Sequence, residues 1–184
     1  MGLSSPCKAA ADVLPDVLAP GLRVVFCGTA AGSVSAARGA YYAHPQNRFW
    51  RTLGECGFTP RRLAPEEFPL LPSFGLGLTD IAKRVSGMDK QLPPGALGRE
   101  PCADLRARIL AAQPNFLAFT SLTAGRKFLG GGAGFGEAPE RIGATRIWLL
   151  PSPSPAAAWN FDARWWRALA EAAEPTVPTA SDRA

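Results

Sequence analysis

Asp80, in the segment Gly77-Leu-Thr-Asp-Ile-Ala-Lys-Arg84, is a candidate for acid–base chemistry. It follows a short candidate strand, Gly75–Thr79, and is expected just beyond a strand end. A carboxylate there can take a proton from water or stabilise a developing cation. The competing role is to cap a following helix, which Asp does often. A second segment, Gly28-Thr-Ala-Ala-Gly32, follows the β-branched run Leu22–Cys27. Its two glycines suit a tight turn with backbone N–H groups facing a ligand, or a merely structural turn. It is not a G-x-G-x-x-G motif and lacks the lysine of a P-loop, which argues against a nucleotide-binding enzyme. The four cysteines, Cys7, Cys27, Cys56 and Cys102, are widely and irregularly spaced. They read as reduced thiols and not as a zinc or iron–sulfur set, so no metal site is expected from them.

Around these residues, short apolar runs alternate with helical patterns. Strands are expected at Leu22–Cys27, Gly75–Thr79, Asn115–Thr120 and Arg146–Leu150. Helices are expected over Asn47–Cys56, Pro101–Ala112, Ala124–Leu129 and Ala163–Ala173, with a glycine-rich break at Gly130–Gly136. Strands separated by helices predict a parallel sheet covered on both faces. Ligands in such folds bind beyond the carboxyl ends of the strands. That rule selects the loops Gly28–Ser33, Asp80–Arg84 and Pro151–Trp159.

The chain has 184 residues, a net charge of +5 and a pI near 9.4. The length fits one domain, expected over 12–173, with flexible ends at 1–11 and 174–184. The basic balance is compatible with a polyanionic partner without proving one. No apolar run reaches membrane-spanning length and no signal peptide is visible. Met1-Gly2 lacks the Ser or Thr that a myristoylation site wants, since Pro6 stands there.

Four segments resemble the mismatch-specific uracil/thymine-DNA glycosylases of the uracil-DNA glycosylase superfamily. They are Asp16–Gly28, Ala43-His-Pro-Gln-Asn-Arg-Phe-Trp50, Gly57-Phe-Thr59 with Leu63-x-Pro-x-Glu67, and Leu150-Pro-Ser-Pro-Ser154. They occur in the family's order over about residues 12–172, and the His-Pro segment is the most specific. The resemblance implies a three-layer α/β/α sandwich with a central four-stranded parallel sheet. It implies cleavage of the bond between a damaged base and its deoxyribose in DNA, single- or double-stranded, with no cofactor. A monomer in the cytoplasm, bacterial in type and associated with the nucleoid through DNA, goes with it.

The resemblance also distributes roles. The family's Asn that orients the attacking water falls at Ala30, which has no polar group, so the resemblance is to an atypical subclass. Asp80 is then the candidate for handling the water, as in a subclass with Ala at that place; that subclass carries an iron–sulfur cluster, which the cysteines here do not fit. Gly28, Thr29 and Ala30 line the base site. Tyr42 matches the aromatic that stacks on the flipped base, with Tyr41 beside it. His44, the single histidine, and Asn47 open the signature; Asn47 is equally a helix cap. Phe49 and Trp50 are expected in the core. Ser152 matches the base-contacting place of the last loop. Gly32, Ser33, Lys83, Arg84, Lys127, Ser154, Pro155 and Ala156 are candidate DNA contacts, with Lys90 and Arg126 beside them. The family's bulky wedge is replaced by Pro155-Ala-Ala-Ala158. Trp159 is an alternative wedge, with packing at the start of a helix as its more ordinary role. A protein that binds uracil-DNA or single strands without cleaving them is the alternative reading, because Ala30 removes the expected water ligand.

Overall fold

The structure is a computed structural model and describes residues 11–174. The ends expected to be flexible lie, save Ala11 and Glu174, outside those residues. Five strands form one sheet in the order β2-β1-β3-β5-β4. They are β1 (Val24–Ala31), β2 (Leu76–Ser86), β3 (Phe116–Phe119), β4 (Gly136–Ile142) and β5 (Thr145–Leu149). The pairs β1–β2, β1–β3 and β3–β5 are parallel, as expected, whereas β4 pairs antiparallel with β5. The sheet therefore has five strands, not four.

The fifth strand was hidden by its composition. Gly-Glu-Ala-Pro-Glu-Arg-Ile is polar, and Pro139 falls where the β4–β5 register shifts. A proline and a row of charges are tolerated on an edge strand because its outer N–H groups need no partner.

Side-chain alternation divides β1 between two cores. Val24 and Phe26 face α2 (Phe49–Glu55) and α5 (Arg164–Ala172), where Phe49, Leu53, Trp166 and Leu169 are buried. Val25 and Cys27 face α3 (Arg99–Ala112) and α4 (Leu122–Leu129), through Leu105, Ile109, Ala124 and Phe128. These two cores are the outer joints of the three layers. Phe26 stacks on Trp166 and meets Phe49 and Phe58 edge-on. A short helix α1 (Ser33–Arg38) follows β1.

The segment Gly57–Glu67 that carries part of the resemblance is structural. Phe58 and Leu63 are core, and Glu67 accepts from the backbone of Ala64 and pairs with Arg61.

Candidate active site

The β1–β2 register brings Gly28 opposite Asp80. Both strands run further than the sequence pattern suggests, so Asp80 lies inside β2 and Gly28–Ala31 inside β1. The tight turn expected at Gly28–Gly32 is absent: Gly28 is in the ladder and Gly32 is extended at φ −65°, ψ 158°. Gly28 is needed for a different reason. A Cβ there would stand 2.5 Å from Asp80 Oδ1 and 3.4 Å from the Tyr42 hydroxyl. The missing side chain is the space that the carboxyl occupies.

Asp80 does not cap a helix. By alternation along β2 it shares the face of Leu76 and Leu78 and is only 4 % exposed. Burial raises its pKa to about 7, because a desolvated carboxylate loses its hydration. The cations of Lys83 and Arg108 and a hydrogen bond from the Gly28 backbone pull the other way, while Asp16 adds to the rise. A group with this pKa can hold and release a proton near neutrality.

Tyr42 completes the face. Its ring stacks on Phe49 with centroids 3.9 Å apart, and its hydroxyl is 3.1 Å from Thr120 Oγ1. The residue stays partly exposed. Its backbone is left-handed at φ 52°, a conformation costing a bulky side chain about 1–3 kcal/mol. Tyr41 is buried, donates to the Pro15 carbonyl and belongs to the core.

The remaining candidates divide by their hydrogen bonds. Ala30 is half-buried opposite Ala82 and brings no polar atom. Thr29 donates to Asp89 at 2.5 Å, tying β1 to the loop after β2. His44 is exposed and accepts from the Gln46 backbone through Nδ1. Asn47 is not the N-cap of α2, which is Arg48; its Oδ1 accepts from the Phe49 backbone two residues on, an Asx turn leading into the helix. Ser152 Oγ accepts from the Ser154 backbone. Phe49 and Trp50 are core, as expected.

The outer rim is mixed. Gly32, Ser33, Arg84, Lys90, Arg126, Lys127 and Ala156 are exposed, and Ser154 and Pro155 partly so. Lys127 is the sixth residue of α4 and lies about 8 Å along the helix axis from the end near Thr120. Lys83 is a correction. Its ammonium is turned inward to Asp16 at 2.7 Å, the Leu14 carbonyl and the Tyr41 hydroxyl, so it is not free for phosphate. Trp159 is 86 % exposed in the 3-10 stretch Pro155–Asn160; packing at a helix start, the role weighed against a wedge, does not occur.

A uracil DNA glycosylase superfamily model matches residues 15–173. The chain belongs to the uracil DNA glycosylase superfamily. Its fold is similar to the solution NMR structure of a protein from Methanosarcina acetivorans, provisionally described as a uracil DNA glycosylase. That likeness has a TM-score of 0.57 at 20 % identity, over 88 % of this chain and 97 % of the other. Within this superfamily member, three groups escaped sequence reasoning: Thr120 at the Tyr42 hydroxyl, and Asp16 and Arg108 acting on Asp80. Thr120 closes an expected strand and Asp16 opens a resembling segment, so both were in view without a role. Arg108 sits on a helix whose other side is core, and nothing in its spacing marks it out.

Proposed function

We propose that this protein is a DNA base-excision glycosylase that hydrolyses the N-glycosidic bond of uracil, and of other deaminated or damaged bases, in DNA. The reading is carried by the buried Asp80 carboxyl seated over Gly28, beside Tyr42, in a member of this superfamily. It assigns the chain to the mismatch-specific branch and to the subclass with Ala at the first motif.

The target base leaves the stack and enters the site, stacking on the Tyr42 ring. Extrusion costs roughly a few kcal/mol from a duplex and less from a single strand. As the glycosidic bond breaks, its electron pair leaves with the base and positive charge develops on the sugar. The ionised Asp80 stabilises that charge and takes a proton from the water whose oxygen bonds to C1′. Gly28, Thr29, Ala30, His44 and Ser152 line the base site, and Asn47 supports it from outside by holding the turn before α2. Gly32, Ser33, Arg84, Lys127, Ser154, Pro155 and Ala156 contact the DNA backbone. With Pro155-Ala-Ala-Ala158 in place of a bulky wedge, the opposing base is read weakly and single strands are used well. The protein acts as a monomer in the cytoplasm; no helix among the described residues is long and apolar enough to cross a membrane.

The test uses end-labelled uracil oligonucleotides as single strand, U·G and U·A duplexes, without added metal. Alkali-labile abasic product is expected from all three, with Asp80→Asn slower by about 10²-fold. Equal rates for the two proteins would remove Asp80 from the mechanism. Tight binding with no product from any lesion would leave a DNA-binding protein instead.

A further inference from the structure

The outer edge of β2 carries a charge cluster that the proposed chemistry does not use. On that edge Leu78 exchanges both backbone hydrogen bonds with Val17, and the Lys83 carbonyl accepts from the Val13 amide. Between those points no backbone hydrogen bond joins the lead-in segment to β2 among the described residues. Arg108, from α3, fills the gap: its Nη2 donates to the Asp80 carbonyl at 3.1 Å. Its Nη1 reaches the Thr79 hydroxyl and, at 2.9 Å, Asp16 Oδ2. Asp16 Oδ1 accepts from Thr79 and from Lys83, each at 2.7 Å. One carboxylate thus joins two cations, and the fork of one of them grips the backbone of Asp80. A bidentate guanidinium holds such a geometry where a lysine cannot.

We propose that Arg108, balanced against Asp16 and Lys83, is a positioning residue that holds the β2 segment carrying Asp80 and sets the field at its carboxyl. The inference rests on the assignment of Asp80 given above. The groups facing Asp80 are Asp16 from the lead-in segment, Lys83 on its own strand, Arg108 on α3, and the neutral groups Cys27, Tyr41 and Tyr42. Burial holds the Cys27 thiol and both tyrosine hydroxyls above their ordinary values, so they keep their protons through neutrality. The charges acting on Asp80 are those of the cluster, and they act in opposite senses. Lys83 and Arg108 favour the carboxylate and Asp16 disfavours it.

Opposed signs make the test specific. Single-turnover cleavage of a uracil single strand by the full chain is followed from pH 5 to 9. Wild type is expected to gain rate through about pH 7, as Asp80 ionises. Arg108→Gln should move that limb to higher pH by roughly one unit, and Asp16→Asn to lower pH. Arg108→Lys, which keeps charge and loses the fork, should leave the limb near wild type while lowering the plateau rate. Loss of plateau in Arg108→Gln and Asp16→Asn with an unmoved limb would mean a merely structural cluster and would overturn the proposal. If Asp16→Asn does not fold, the carboxyl carbon of labelled Asp80 is titrated by NMR in wild type and Arg108→Gln; identical midpoints overturn it. Asp80→Asn separates the two readings. If it loses both rate and limb while the cluster variants keep the wild-type limb, only the cluster proposal fails. If it keeps both, the assignment of Asp80 fails and the cluster proposal with it.

Discussion

At the scale of the residue, the site is one carboxyl and the space made for it. Asp80 was legible as a candidate because an acidic residue next to an apolar run is unusual, and a resemblance supplied its role. Its burial was not legible, since that depends on which residue of β1 it meets. The raised pKa has a thermodynamic consequence beyond catalysis. The folded state holds the proton to about pH 7, whereas an unfolded aspartate releases it near pH 4. The stability this contributes is fully present below the unfolded value and is lost as pH rises through the folded one. Wild type should therefore lose about 2–3 kcal/mol between pH 5 and pH 8 from this group alone. Asp80→Asn removes the dependence, so its gain in Tm over wild type should be larger at pH 8 than at pH 5. Thermal melts at the two values check this, and an equal gain at both would mean an ordinary carboxyl. Gly28→Ala probes the same space. Its Cβ meets Asp80 Oδ1, so the carboxyl must move. Cleavage is expected to fall by about 10-fold or more, because a misplaced proton acceptor loses its geometry; a wild-type rate would show that the carboxyl need not sit there.

At the scale of the element, the sequence pattern found four of the five strands and shortened two. It stopped the first at Cys27 because glycine and alanine follow, yet a glycine beside an approaching side chain belongs in a strand as readily as in a turn. The missing strand β4 is polar and contains proline, and only its pairing with β5 makes it a strand. The loop after β5 differs in kind. It ends in the 3-10 stretch Pro155–Asn160, which presents Trp159 almost fully to solvent. A solvent-facing indole beside the proposed DNA site can stack on a base, worth about 1–3 kcal/mol. Trp159→Ala should accordingly raise the Kd of Asp80→Asn protein for uracil-containing DNA by about 10-fold, measured by fluorescence anisotropy. An unchanged Kd would leave the loop without a stacking residue. At the other side of the site, Asn47→Ala removes the oxygen that holds the Phe49 amide in the turn before α2. It should cost about 1 kcal/mol of stability, the scale of one lost hydrogen bond, and lower cleavage only as far as folding falls; a large loss of activity in a well-folded variant would assign Asn47 a direct contact with the base.

At the scale of the whole molecule, charge separates cations that face solvent from cations the fold has consumed. A net charge of +5 says nothing about which side chains meet phosphate. Lys83 and Arg84 are neighbours in sequence and look alike in it, but the fold treats them oppositely. Lys83 is 10 % exposed at its side chain and bound to Asp16, while Arg84 is exposed. A phosphate contact releases condensed counterions, so each one adds about −0.7 to the slope of log K against log salt on a single strand. Arg84→Gln should flatten that slope by roughly this amount. Lys83→Met should leave the slope unaltered, because an inward ammonium displaces no counterion from DNA. Titrations of Asp80→Asn protein with a uracil single strand at several salt concentrations measure both. Equal flattening by the two substitutions would mean that Lys83 turns outward to meet DNA. The pair with Asp16 would then have to break on binding, and the field at Asp80 would change with it.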